Sequence, residues 1–531
     1  MRTIIKLVFR SVIVAVVVVA LYATNLFLKP ISKMKASLAQ SSIAAPINVD
    51  GEAFRDLNRN GALDPYEDYR VATADRVENL LSQMTLEEKV GQMFPPPVLI
   101  EPDPLFRVFL EAMNAGMSVE ELINRKSMTH FNFYGDASPE NIAKRLNELQ
   151  QIAERTRLGI PLSISSDPIH EVPRGGGIAS FTLDGVSKWP SQLGFAAGRD
   201  SSMLEAFGKI AAAEYRAMGF TTALHPMSDM ATEPRWARNF GTFGSNAELS
   251  AEMTVAYMQG FQGEILSNQS VMTMVKHFPG GGPQLDGLDP HLKSGESQVY
   301  PGDHFDYHLA PFIAAIENNM RVVMPYYGIP TGQTDEDVAM AYNRYVLTDL
   351  LRDELGFEGV ICTDWGVVTG RIWGVEHLTV EERYLKSIQA GVDQYGGESD
   401  PEYIIRLVIQ GAISEARIEK SVRRILRNKF DLGLFETPFV DETEVKALVN
   451  LPAYVSLGMT AQRNSVVLLD NSSTALPLTV GTRIFVDGLD PSVAARYGTV
   501  VDTSDEADVV LLFLNTVFNG NQSAGTDRIL D

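Results

Sequence analysis

From about residue 160 onward, short apolar runs alternate with longer amphipathic stretches, and no other feature restricts the possible folds as much. The runs are PLSIS (161–165), TTALHP (221–226), TMVKHF (273–278), RVVMPYY (321–327), GVICTDWG (359–366) and GVDQYGG (391–397). Between them lie helix-forming segments such as SMLEAFGKIAAAEYRAMG (202–219), HLAPFIAAIENNM (308–320) and ERYLKSIQAG (382–391). Strand and helix in alternation imply a parallel sheet. All but the first run end on a polar or aromatic residue followed by Gly or Pro. A closed (β/α)8 barrel gathers its active residues at the C-terminal ends of its strands. The main rival, an open doubly wound sheet, wants a Gly-rich phosphate loop after its first strand. The glycine runs at 175–177 and 280–282 lack the helix that would complete that fingerprint. The expected fold is therefore α/β, a TIM-like (β/α)8 barrel.

The chain has 531 residues, which suits two or three structural units. Its formal net charge of -22 argues against nucleic-acid binding, which needs clustered Lys and Arg. The single cysteine, Cys362, excludes an intrachain disulfide and reads as a small buried hydrophobe. At the start, Arg2, Lys6 and Arg10 precede an uncharged apolar stretch, residues 11–28. That stretch is just long enough to span a bilayer as a helix. Residues 1–29 are expected to be a signal anchor or a signal peptide, so that the rest is exported, either periplasmic or held at a membrane facing outward. Residues 30–50 read as a flexible stalk, 51–70 as a calcium loop, 71–437 as the barrel and 438–455 as a linker. In 456–531 the runs 461–471, 483–488 and 507–514 read as strands of an α/β sandwich that this chain contains only in part.

Several motifs carry chemistry. DLNRNGALDPYE (56–67) matches the EF-hand loop position by position. Asp56, Asn58 and Asn60 would supply side-chain oxygens, Ala62 its carbonyl, and Asp64 and Glu67 the carboxylates at the ninth and twelfth loop positions around a structural Ca2+. Asp364 ends a very apolar run, where a carboxylate is costly unless it is paired or functional. Lys276 and His277 end another run; they could cap neighbouring carbonyls or donate to sugar hydroxyls. Asp167 lies just past the 161–165 run, and the loop EPRWARNFGTFG offers Arg238 as a fork for vicinal hydroxyls. Asp289 and His291 form a D-x-H pair after a glycine turn, either a proton-transfer dyad or an ordinary loop. Tyr326 and Tyr327 end a further run and could line a pocket or pack in the core.

Taken together, MTLEEKVGQM, the strand ending at Asp167, the PRWAR loop, VKHFPGG and VICTDWG resemble glycoside hydrolase family 3 over roughly residues 80–515. The branch is similar to bacterial exo-acting β-glucosidases and glucan glucohydrolases. The resemblance implies a barrel followed by an α/β sandwich, no catalytic cofactor, and retaining release of terminal glucose from β-linked gluco-oligosaccharides or glucosides. It implies Asp364 as nucleophile. It also implies that Asp167, Arg238, Lys276 and His277 hold the terminal sugar, with Trp365 flanking the ring and Tyr326 nearby. Two-domain relatives usually supply the acid from a glutamate on a second-domain loop; the matching stretch here, LFLNTVFNGNQSAGTD, has none, and Asn519 stands near that place. The hexosaminidase branch uses an Asp-His dyad, and Asp289 and His291 lie near it, though Gly281 stands where that branch commonly has histidine. Three readings of the proton donor stay open: this dyad, a donor beyond the present chain, or another residue. The alternative functions are a β-N-acetylhexosaminidase and a sugar-binding form without efficient turnover.

Overall fold

The computed structural model describes residues 46–100, 116–172 and 182–514, and the backbone of 517–518 and 528–529. The expected membrane segment 11–28 and Asn519 lie outside these residues, and among the described residues no helix is long and apolar enough to cross a membrane.

Seven parallel strands form the central sheet in spatial order Val360–Ile361, Val322–Pro325, Met272–Phe278, Thr222–Ala223, Ser163–Ser166, His130–Gly135 and Pro97–Ile100. The 391–397 run supplies the eighth position. Cys362 and Gln394 form a parallel bridge on one side. On the other, Tyr395 N–H donates to Met93 O (2.8 Å) and Gly397 N–H to Pro95 O (3.1 Å). The last run thus stitches the seventh strand back to the first, and the sheet closes into a barrel. Closure removes both sheet edges, which is why each run could be apolar on both faces.

The helices form where apolar spacing and caps coincide. Thr85, Ser118 and Thr379 each start a helix with a reciprocal capping box to Glu88, Glu121 and Glu382. Residues 73–91 form two helices, Thr73–Gln83 and Leu86–Gly91, because the Thr85 cap restarts the chain. The Glu415–Asp431 helix seals the bottom of the barrel through Lys429. Its fully buried side-chain nitrogen donates to Thr129 O (3.1 Å), Pro161 O (2.8 Å) and Ser163 Oγ (3.0 Å), at the starts of two adjacent strands.

Two expectations change. The end of the stalk is ordered: Pro46–Val49 pairs antiparallel with Glu52–Arg55, ahead of residues 56–67. The run 461–471 is not a strand. Residues to Asn464 belong to the helix Pro452–Asn464, and Val466–Leu469 are exposed with no ladder partner among the described residues. An apolar run becomes a strand only beside another one. Arg483–Asp487 and Val509–Leu512 do pair, in parallel, with Thr499–Val500 on the other edge.

Replacing Lys429 with Ala should lower unfolding stability by about 3 kcal/mol, since it strands three buried acceptors and removes a packed stem. Urea denaturation followed by circular dichroism measures this; a wild-type midpoint would show that Lys429 does not pin the barrel floor.

Candidate active site

Every residue of the Met272–Phe278 strand is buried. Its ladder with Val322–Pro325 runs in register to Lys276 and then shifts by one residue before Phe278. The shift ends regular pairing where the two cationic side chains emerge. Lys276 Nζ donates to Asp167 Oδ1 at 3.2 Å. His277 is held by Asp229, whose Oδ1 accepts from the His277 N–H (3.2 Å) and whose Oδ2 lies 2.7 Å from His277 Nδ1. Gly281 N–H also donates to Asp229 Oδ1. Burial pushes the His277 imidazole below its usual value despite the Asp229 charge. Nδ1–H is assigned to Asp229 by that contact. Its Nε2 faces Asp364 Oδ2 at 3.6 Å.

Asp364 stands at the mouth of the barrel beside these groups. Its Oδ1 accepts from the Tyr327 hydroxyl and the Trp365 N–H, both at 2.7 Å. Oδ2 makes no such bond among the described residues and stays available. Burial alone would raise the Asp364 pKa, but His277, His291, Lys276 and the Tyr327 hydroxyl outweigh it and hold the carboxyl below the usual carboxylate range. It is ionised at neutral pH and poised as a nucleophile or an electrostatic partner for positive charge.

A second chain of contacts supports the other wall. Arg238 Nη1 donates to Tyr326 Oη (2.8 Å), and Tyr326 Oη donates to Asp289 Oδ2 (3.3 Å). Trp236 Nε1–H reaches the same Oδ2 at 3.0 Å. Asp289 Oδ1 accepts from the His291 N–H (3.0 Å) and contacts His291 Nδ1. The His291 ring sits 4.9 Å from the Tyr327 ring, edge on, and is partly exposed. Asp289 is buried and His291 opens to the site, so the pair has the form of an oriented imidazole with Nε2 left free.

The structure therefore brings Asp167, Lys276, His277, Asp364, Asp289 and His291 to one mouth, with Arg238 braced behind them. Tyr326 is fully buried between Arg238, Asp289 and the His277 ring, and it orients these neighbours. Trp365 is half-buried at the mouth, and Gly396 and Gly397 leave room for its ring: a Cβ at either would come within 2.7 Å of the indole.

The family model for the glycosyl hydrolase family 3 N-terminal domain matches residues 85–428. The chain belongs to glycoside hydrolase family 3. It is a glycosidase, hydrolysing O-glycosyl bonds. Beta-glucosidase C of Emericella nidulans is 44% identical over 479 residues, 87% of this chain and 76% of that protein. A periplasmic beta-glucosidase/beta-xylosidase of Dickeya chrysanthemi is 38% identical over 532 residues, 94% of this chain and 80% of that one. A β-glucosidase structure from Erythrobacter marinus superposes with a TM-score of 0.69 at 23% identity, covering 88% of this chain and 62% of that enzyme's length. That likeness concerns the fold.

Sequence reasoning about this glycosidase passed over Asp229 and left the role of Tyr327 undecided. Asp229 follows the TTALHP run by three residues, a polar group past a strand end, so a signal was present. Tyr327 carried none that separates a pocket hydroxyl from a core ring. Arg371 was missed as well: its Nη1 donates to Trp365 O (2.9 Å) and its guanidinium lies 4.8 Å from the Tyr327 ring centroid.

Residues 56–67 form the turn that their EF-hand-like pattern requires. Asp56 accepts from the N–H groups of Asn60 and Gly61 (both 3.1 Å), and Gly61 has φ 78°. Glu67 accepts from the Leu57, Asn58 and Asp64 N–H groups (2.7, 3.2 and 3.1 Å). The Asn58 and Asn60 side chains both turn inward onto Asp64 Oδ2, at 2.6 and 2.7 Å. Turning either amide over would place oxygen where nitrogen now sits. Among the described residues no three His, Cys, Asp or Glu side chains stand together as a preformed metal cluster. The oxygen donor set nonetheless fits a hard cation.

Burial opposes ionisation of Asp289, yet His291 and Arg238 hold its carboxyl far below the usual carboxylate value. A depressed folded-state pKa gives stability that is present above the unfolded value, near ~4, and is lost as pH falls through the folded value. The melting temperature should therefore fall steeply below about pH 4, and Asp289→Asn should flatten that fall. Parallel slopes in calorimetry would remove Asp289 as its source.

Proposed function

We propose that this chain is an exported, exo-acting, retaining β-glucosidase that releases terminal glucose from β-glucosides or β-glucan oligosaccharides. The observation that carries the reading is Asp364: a buried, ionised carboxylate at a strand end, with one oxygen pinned and the other open. The relatives from Emericella and Dickeya bear β-glucosidase names, and the Dickeya enzyme is called periplasmic, which supports the substrate and the exported location.

In the first step Asp364 Oδ2 attacks the anomeric carbon and the bond to the leaving oxygen breaks. His291, oriented by Asp289, gives its Nε2 proton to that oxygen. In the second step water attacks the same carbon, His291 takes the water's proton, and the ester bond to Asp364 breaks. Two inversions give retention. The Tyr327 hydroxyl and the Trp365 N–H donate to Asp364 in its ionised state, so they orient the nucleophile and assist its departure. Asp167, Lys276 and His277 offer acceptors and donors to the sugar hydroxyls. The hexosaminidase alternative is disfavoured at Gly281. A Cβ there would lie 2.7 Å from Asp229 Oδ1 and 2.8 Å from the Tyr326 ring, so a histidine at this position does not fit the present loop.

We also propose that residues 56–67 hold one Ca2+ through Asp56, Asn58, Asn60, the Ala62 carbonyl, Asp64 and Glu67. The ion's role would be structural, tying the start of the barrel domain.

Asp364→Asn should lower turnover of a dinitrophenyl β-glucoside by about a thousandfold or more while leaving the melting temperature near wild type; an unchanged rate would exclude the nucleophile assignment. His291→Ala should spare that activated substrate and slow cellobiose by about 10²-fold or more, with azide restoring turnover. Equal losses on both substrates would move the acid elsewhere. Calcium at a hundred times its Kd should stabilise the fold by about 2.7 kcal/mol, and Asp64→Ala should abolish the response to added calcium or chelator in thermal melts.

A further inference from the structure

Tyr327 faces two acceptors with one hydroxyl hydrogen. Its Oη lies 2.7 Å from Asp364 Oδ1 and 2.8 Å from the Trp365 carbonyl oxygen. A phenol carries a single O–H, so only one of these contacts is its donor bond at any moment. The other acceptor needs a donor of its own, because a carbonyl left unpaired in a partly buried site is costly.

Arg371 supplies that donor. Its Nη1 reaches the Trp365 carbonyl at 2.9 Å, and its guanidinium lies 4.8 Å from the Tyr327 ring centroid. A tight loop just past Asp364 places it there. The Gly370 and Arg371 N–H groups both donate to Gly366 O (2.9 and 3.0 Å). From the next strand end, Glu398 Oε1 accepts from the Val368 and Thr369 N–H groups (2.9 and 3.0 Å) and holds the same loop.

The competition for the Tyr327 hydrogen is sharpest in the second half of the reaction. While Asp364 is ionised, its charge draws the hydrogen. In the glycosyl-enzyme that carboxylate is a neutral ester, and an amide carbonyl is then the better acceptor. A hydrogen turned toward Trp365 O would be missing when the carboxylate forms again.

We propose that Arg371 is a positioning residue for the hydrolytic step, given Asp364 as the nucleophile. By occupying the Trp365 carbonyl, it keeps the Tyr327 O–H on Asp364 Oδ1 while the ester exists. In that step the water oxygen bonds to the anomeric carbon and His291 takes the water's proton. The bond from that carbon to Asp364 breaks, and its electron pair returns to the carboxylate. The Tyr327 O–H meets that returning charge. Neither Tyr327 nor Arg371 transfers a proton.

A double-mutant cycle on the full chain, with a dinitrophenyl β-glucoside as substrate, tests the proposal. Its leaving group needs little acid help, so hydrolysis of the ester limits kcat. Arg371→Met should lower kcat and KM together by about tenfold, keep kcat/KM within about twofold of wild type, and release a burst of dinitrophenol as the ester accumulates. Tyr327→Phe should lower kcat at least as much, and adding Arg371→Met to it should cause no further loss. A rise in KM without a burst, or an additive loss of about a hundredfold, overturns the proposal, because Arg371 would then act without Tyr327. Where Arg371→Met does not fold, Arg371→Gln carries the same cycle, with the same absence of further loss expected. Peptide mapping of the trapped ester keeps the two readings apart. An ester on Asp364 beside an additive cycle overturns the role of Arg371 alone; an ester on another residue overturns both.

Discussion

The site is organised around one buried carboxylate, Asp229. Asp229 is fully buried and accepts from the His277 backbone, the His277 ring and the Gly281 backbone. Burial works against its charge, and these donors reverse that cost. The consequence is geometric. The end of the Met272–Phe278 strand, the imidazole beside Asp364 and the glycine loop are tied to a single point. Glycine is required at 281 because the carboxylate and the Tyr326 ring leave no space for a Cβ.

The barrel converts that local fixture into a reaction site. Asp167, Asp229, Lys276, Tyr327 and Asp364 lie on or just past five different strands and are far apart in the chain. Closure brings their strand ends onto one rim, and the low-dielectric core beneath makes each charge depend on its neighbours. Asp364 stays ionised because cationic and hydroxyl groups from two other strands surround it. Lys429 performs the opposite task at the other end. It is a buried amine that satisfies the starts of two strands and leaves the chemistry to the top.

Much of this was legible in the residues. The alternation of runs announced the parallel barrel, since a strand buried on both faces must be apolar throughout and a crossover helix must be amphipathic. The polar residues at run ends announced the rim. The EF-hand spacing predicted the Asp56 turn and its Gly61. Other features were not legible. VVLL at 466–469 reads like VVLL at 509–512, yet only the second has a neighbour to pair with. Tyr326 and Tyr327 are adjacent and identical in type. One became a brace for Arg238 and Asp289, the other a donor to Asp364.

The sequence by itself determined the fold class, through periodicity and capping, and marked candidate groups at the mouth through the residues that end its strands, while its ordered motifs carried the resemblance to the family. Tertiary structure alone decided which of those groups touch. The pairing of Asp229 with His277 and the division of labour between the two tyrosines both depend on contacts between distant segments. Such contacts are set by how the barrel closes and how its loops pack, and no one-dimensional spacing encodes them.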